Sequence, residues 1–368
     1  MRTVGVEEEL LLVDEETGEA QSRSSAVLAS AERDGGVGAP DDPEELPLER
    51  ELHGQQIEFA TRPATDMTEL AQEIRRLRTE VSTHAARAGT AVAPLATSPL
   101  PVNPRLSTGE RYRWLAEQFG PTAQEQLTCG CHVHVLVDSD EEGVAVIDRL
   151  RPWLPLLLAM SANSPFWQGE DTSYGSYRSR VWNRWPSAGP TEPFGSARRY
   201  HEETEAMVAS GVIRDKGMVY FDARLSHRYP TVEIRVADVC LDPSTPVLLA
   251  ALTRALVDTA AEEWRADTPA PTTGVPLLRL AAWRSARSGL DGDLLHPVTH
   301  TPVPAEEALT TLLDHIRPAL KSNDDLTLAE NGITRLLRDG NGARVQRELL
   351  AQTGSLREVV GECVRRGE

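Results

Sequence analysis

Two hydrophobic periods divide this chain. Residues 3–13 alternate well enough for a first strand. Residues 22–50 read as loop and short helix, with a Gly/Pro/Asp-rich stretch at 34–47. A second strand is expected at 55–61. Asp66 then stands where a helix cap belongs, with Glu69 three residues on as its capping-box partner. Leu70, Ile74, Leu77, Val81 and Ala85 follow as one apolar stripe at helical spacing. Residues 91–96 suit another strand, and CGCHVHVLV at 129–137 carries the clearest β signal. A helix is predicted over roughly 143–162, then a stretch at 164–195 with no period, rich in Gly, Pro, Ser, Arg and Trp. An irregular segment that long in a compact domain usually has a functional role. Residues 197–211 form a polar helix, and 218–225 with 230–237 a strand pair. From Ser244 onward the pattern is helical, at roughly 245–266, 275–289, 304–320, 325–338, 342–352 and 355–366. A β-rich first two-thirds before a helical last third predicts an α+β fold with an antiparallel or mixed sheet, not a doubly wound parallel one.

Composition changes this picture in two respects. The 368 residues suffice for one large domain or two small ones, and the formal net charge of −18 repels a phosphate backbone. Nucleic acid is therefore excluded as a partner, and an anionic ligand needs a local basic cluster or a metal. The start, MRTVGVEEELLLVDEE, has no charged segment followed by an apolar run, so no signal peptide is expected. The most apolar run, 150–162, is too short to span a bilayer and contains Arg151, Pro152 and Pro155. A cytoplasmic protein without membrane contact is expected. Cys129, Cys131, Cys240 and Cys363 form no paired CxxC knuckles, which argues against a disulfide framework or structural zinc.

Chemistry concentrates on the predicted strands. In GVEEEL, Glu7 and Glu9 share one strand face and Glu8 takes the other, with Val4, Val6 and Leu10. Paired carboxylates repel unless a cation sits between them, and hard divalent cations seek such oxygen ligands. In CGCHVHV, His132 and His134 face the same way, able to reach one metal, or one metal and one phosphate. In TVEIRVAD, Val232, Ile234 and Val236 are expected to face the core while Glu233 and Arg235 share the other face. Each pattern alone could be a solvated strand face. Together with Glu58, they would line one sheet face with acids and imidazoles, costly unless cations neutralise it. The string YGSYRSRVWNRW adds Arg178, Arg180 and Arg184, guanidinium forks suited to carboxylates and phosphates. Arg284 and Arg287, in WRSARSGL, form a weaker basic pair. There is no GxxxxGK[ST] loop, no GxGxxG after a strand and no GxSxG elbow.

Glu-x-Glu, His-x-His and Glu-x-Arg on three strands resemble the glutamine synthetase superfamily. More narrowly, GVEEELLLVD, CGCHVHV, SYRSRVWNRWPSAGPTEPFG, TVEIRVADV and WRSARSGLDG resemble the glutamate–cysteine ligase type 2, or carboxylate–amine ligase, family, from residue 4 to about residue 350. The resemblance implies a single domain over 1–368 and a curved antiparallel sheet with flanking helices, holding two or three magnesium or manganese ions. It implies metal ligands at Glu7, Glu9, Glu58, His132 and Glu233, with Glu51 less securely matched. It places His134 on a phosphate, Arg235 against the transferred phosphate, and Arg178, Arg180 and Arg184 in the substrate- and phosphate-binding segment, where Arg178 and Arg180 join Arg235 in catalysis. Arg284 and Arg287 are expected to help hold ATP. The implied reaction activates a carboxylate with ATP as an acyl phosphate and joins it to an amine, glutamate and cysteine being the implied pair, often in a homodimer. A zinc hydrolase built on His-x-His and a non-catalytic nucleotide-binding protein are the competing classes.

Overall fold

The computed structural model describes residues 1–33 and 48–367. The Gly/Pro/Asp-rich stretch expected as loop at 34–47 lies outside them. In chain order the strands are β1 (Val4–Val13), β2 (Leu48–Arg50), β3 (Gln56–Ala60), β4 (Ala91–Ala93), β5 (Gly130–Leu136), β6 (Phe166–Trp167), β7 (Glu170–Asp171), β8 (Ala223–Leu225), β9 (Thr231–Asp238), β10 (Leu294–Leu295) and β11 (Pro302–Val303). Seven of them form one sheet in the order β2-β3-β1-β5-β9-β8, with β4 paired to the end of β1. Every ladder in it is antiparallel, as the strand-then-helix order predicts.

The helices are α1 (Ser24–Arg33), α2 (Met67–Arg87), α3 (Glu110–Phe119), α4 (Pro121–Gln124), α5 (Asp140–Leu150), α6 (Leu154–Ser161), α7 (Arg178–Trp182), α8 (Ala197–Ala209), α9 (Ser244–Arg265), α10 (Val275–Ser288), α11 (Ala305–Ser322), α12 (Leu326–Asp339), α13 (Gly342–Thr353) and α14 (Leu356–Gly367). Among the described residues no helix is long and apolar enough to cross a membrane. Asp66 caps α2 by accepting from the Thr68 N–H at 2.6 Å, and the predicted stripe from Leu70 to Ala85 is buried.

One face of the sheet is apolar. Val4, Val6, Cys131, Val133, Val135, Val232 and Ile234 are buried there in one cluster with Leu70 and Ile74 of α2 and much of α9. Each fully buried Val, Leu or Ile contributes roughly 1.5–3 kcal/mol. This face also holds a charge. Glu8 is fully buried and takes two hydrogen bonds from Arg78 of α2, at 2.9 and 2.7 Å. Arg78 uses its remaining donors on the Cys240 and Leu241 carbonyls, so both ions are satisfied. The apolar neighbours of Glu8 in sequence are thus its true environment.

The structure departs from expectation in four places. The single helix expected at 143–162 is two, α5 and α6, because Pro152 and Pro155 supply no N–H to carry the ladder across 151–153. The irregular 164–195 contains the β6–β7 hairpin and the short α7. Strand β2 and helices α3 and α4 had no periodic signal. Finally, a register shift between Cys131 and Val133 leaves three steps on β9 opposite two on β5, a β-bulge at Arg235–Ala237. Strict alternation, which put Val236 in the core, fails there. Ala237 is the buried core residue instead, Val236 is half-buried, and Asp238 falls on the same side as Arg235.

Candidate active site

The other sheet face gathers the polar residues of five strands, and the registers explain how. Glu7 lies opposite His132, Glu9 opposite Glu58, His134 opposite Glu233, and Arg224 of β8 opposite Glu233. Directly opposed residues of an antiparallel pair point the same way. Side chains far apart in sequence therefore meet in one cleft of about 690 Å³.

At its centre Glu7 bridges both imidazoles, 3.1 Å from His132 Nδ1 and 3.1 Å from His134 Nε2. His134 Nδ1 lies 3.0 Å from the Thr231 hydroxyl. Glu233 is held by Arg224 at 2.7 and 3.1 Å and by Arg235 beside it on β9. Burial alone would raise the Glu7 carboxyl, but the charge of His134 and the hydrogen bond with His132 hold it well below the usual carboxylate range. Burial is likewise overcome at Glu233, which Arg235 and Arg224 hold low. His132 is pushed down to about 4 by burial and the neighbouring Arg235. His134 is raised because Glu7 outweighs burial.

Toward β3 the balance reverses. Glu9, Glu51 and Glu58 crowd together without an equal number of cations. Glu9 is pushed up to about 7 by burial and by Glu51, against the opposing pull of Arg178. Burial and Glu51 raise Glu58 well above its ordinary value. The Gly130 N–H donates to Glu9 at 2.6 Å, fixing its orientation.

Two trios offer one donor atom each with all three within 4.8 Å: Glu7, His134 and Glu233, and Glu9, Glu51 and Glu58. The residues fit divalent cations on their chemistry. Carboxylates that must share a buried site hold protons unless a cation replaces them, and His132 Nε2 is buried without a hydrogen-bond partner. The imidazole in these trios is His134, whereas the sequence resemblance assigns the metal to His132 and a phosphate to His134.

The arginines separate. Arg178 is buried against Gly130, where a Cβ would run into its guanidinium, and it lies 5.5 Å over the Trp182 ring. Arg235 sits 5.6 Å over the same ring and 5.9 Å over Tyr220. Both, with Arg180, line a second chamber of about 290 Å³ that shares Trp182 and Arg235 with the cleft. Asp238 positions this segment, accepting from the Ser164 and Ser176 hydroxyls at 2.7 and 2.8 Å and from the Asn163 N–H at 2.9 Å. Arg184, Arg284 and Arg287 are not brought to either chamber. Arg184 is paired with Glu125 at 2.6 Å, Arg287 bonds the Ser173 carbonyl and stacks over Tyr174, and Arg284 lies partly buried on α10. Their basic spacing follows the exposed faces of a turn and a helix, which charge pattern alone cannot tell from a site. Sequence reasoning missed Arg224, Gln56, Gln126 and Asp238. Pairing the 218–225 and 230–237 segments residue by residue would have set Arg224 opposite Glu233; the others lack any local signal.

Solved structures share the fold that carries this site. The chain superposes on the Francisella tularensis glutamate–cysteine ligase in complex with AMP, with a TM-score of 0.68, 12% identity, and coverage of 100% of this chain and 88% of that one. A bifunctional glutathione synthetase from Pasteurella multocida gives a TM-score of 0.69 at 14% identity, covering 99% of this chain and 52% of that one. These likenesses show the fold, and relatedness in sequence gives the class, that of ATP-dependent ligases. The family model for glutamate-cysteine ligase family 2 matches residues 3–364, and the chain belongs to that family. Relatives whose names place them with glutamate–cysteine ligase 2 include one from Streptomyces avermitilis, 64% identical over 365 residues (99% of each chain), and one from Streptomyces coelicolor, 64% identical over 366 residues (100% of this chain and 99% of the relative).

Proposed function

We propose that this enzyme joins glutamate, activated at its side-chain carboxylate by ATP, to cysteine, giving an amide, ADP and phosphate, within one catalytic unit over 1–368 whose sheet is of the glutamine synthetase type. The observation that carries the reading is the convergence of Glu7, Glu9, Glu58, His132, His134 and Glu233 on one sheet face, with arginines at its border. Glu7, His134 and Glu233 on one side, and Glu9, Glu51 and Glu58 on the other, would hold magnesium or manganese, which neutralises and orients the triphosphate when bound.

The chain's own groups then do the following. Arg235 and Arg178 face the charge that builds on the transferred phosphoryl group, pre-oriented by Glu233 and by the Trp182 ring they both cover. Transfer to the carboxylate gives an acyl phosphate with a good leaving group, and the amine attacks its carbonyl carbon. The buried Nε2 of His132 is free to meet a phosphate oxygen or an ion. The segment around α7, pinned by Asp238, walls the reacting carbonyl from water. Four unpaired, buried cysteines suit a reducing, cytoplasmic setting.

The test is phosphate release with amino acids offered pairwise alongside ATP and magnesium. Release that requires both glutamate and cysteine supports the pair. Release with a different pair keeps the ligase and corrects the substrates, and no amine-dependent release with any pair would refute the ligase reading.

A further inference from the structure

An amine substrate reaches a ligase at neutral pH as an ammonium ion, which has no lone pair for attack. Some group must receive it and remove a proton. The acids of the large cleft are poorly placed to do so, because they are engaged with imidazoles, arginines and each other. The second chamber is different. Its lining includes Arg178, Arg180, Arg235 and Arg279, and among the described residues lining it the one carboxylate is Asp222. Its volume of about 290 Å³ is at the small end for ligand pockets, suited to an amino acid rather than a nucleotide.

Asp222 immediately precedes β8. Its N–H donates to the Gly189 carbonyl at 3.0 Å and its carbonyl accepts from the Arg235 N–H at 2.9 Å, so its backbone is fixed. That pairing extends the β8–β9 register by one residue and points the Asp222 side chain the same way as Arg235. The carboxylate itself makes no hydrogen bond or ion pair with any described residue. A half-buried carboxylate without a partner, facing a chamber rimmed by guanidinium groups, is incomplete without a ligand that donates hydrogen bonds. Burial pushes its carboxyl up to about 7, with Arg279 the one opposing charge, close to what a base that takes a proton from an amino acid's ammonium needs.

Resting on the ligase reading above, we infer that Asp222 is the catalytic base of the amine half-reaction: the arginine chamber takes the amine substrate by its carboxylate, and Asp222 receives its ammonium. One ammonium proton passes to the Asp222 carboxylate. The freed lone pair forms the C–N bond to the acyl carbon as the bond from that carbon to the phosphate oxygen breaks. The second amine proton leaves with the departing phosphate, and Asp222 returns its own to water. Arg235 and Trp182, common to both chambers, mark where the acyl phosphate and the amine meet.

The experiment compares two nucleophiles in the Asp222→Asn variant of the full chain, with glutamate, ATP and magnesium. Cysteine arrives protonated and needs the base; hydroxylamine arrives neutral at pH 7 and does not. Expected are a fall of roughly 10²-fold or more in kcat with cysteine, hydroxamate formation within about threefold of wild type, and a melting temperature no lower than that of wild type. Asp222→Glu, which keeps a carboxylate, should recover part of the cysteine rate. Equal losses with both nucleophiles, or no loss with cysteine, would overturn the assignment while leaving the ligase intact. A wild-type protein that forms neither hydroxamate nor amide would overturn the ligase reading itself.

Discussion

The crowding at Glu9 makes the sharpest prediction. Its carboxyl ordinarily titrates at 4.5, and burial with the Glu51 charge lifts it to about 7 in the metal-free fold. A raised carboxyl favours folding below its unfolded value, and that contribution is lost as pH rises through the folded one. At pH 8 without metal, Glu9 is ionised in a site that resists its charge. The difference between 4.5 and about 7 corresponds to about 3 kcal/mol. Glu9→Gln removes the charge and keeps an oxygen to accept from the Gly130 N–H. In chelator at pH 8 the variant should therefore be the more stable protein, by up to about 3 kcal/mol. For 368 residues that is roughly 4 °C in melting temperature. The gap should close toward pH 4.5, where both side chains are neutral. With magnesium at pH 8 the order should reverse, since the variant has lost a carboxylate ligand. Melting curves at several pH values, with chelator and with magnesium, check all three statements. A pH-independent gap in chelator, or a wild type that remains the more stable without metal at pH 8, would refute the electrostatic account.

Other perturbations act on separate parts of the molecule. Arg78→Met strands the buried Glu8 carboxylate and should cost roughly 3–5 kcal/mol in urea unfolding; a loss below about 1 kcal/mol would show that the pair is not the satisfied unit described. Gly130→Ala pushes the Arg178 guanidinium off its seat, so turnover should drop at least tenfold with a smaller change in melting temperature; unchanged turnover would remove Arg178 from the chemistry. His134→Ala should weaken magnesium-induced stabilisation more than His132→Ala, because His134 belongs to a trio with Glu7 and Glu233, and the opposite order, read by melting against magnesium concentration, would restore the metal role first expected of His132.

The strands of the site could be read from the chain because their chemistry recurs at period two. Glu7/Glu9, His132/His134 and Glu233/Arg235 each stand out against buried apolar neighbours, and the α2 stripe and its Asp66 cap are equally local. What could not be read depends on distance. Glu8 stands among apolar neighbours in sequence, and its partner Arg78 lies seventy residues away. Gln56, Gln126 and Asp222 carry no pattern of their own and matter only through the cavities they line. Arg284 and Arg287 misled for the converse reason: positive charge at helical spacing marks a wet helix face as readily as a phosphate site. Val236 was misplaced because a bulge is invisible to alternation.

That bulge makes residue count, as well as residue type, part of the design of β9. Removing one codon between Arg235 and Ala237 would restore plain alternation and turn the Asp238 carboxylate away from Ser164 and Ser176. The wall that carries Arg178 would lose its anchor, though no charged residue of the site had been altered. This stretch should thus accept many amino acid exchanges while rejecting insertions and deletions, a frame-sensitive joint between the metal-facing half of the strand and the half that holds the wall.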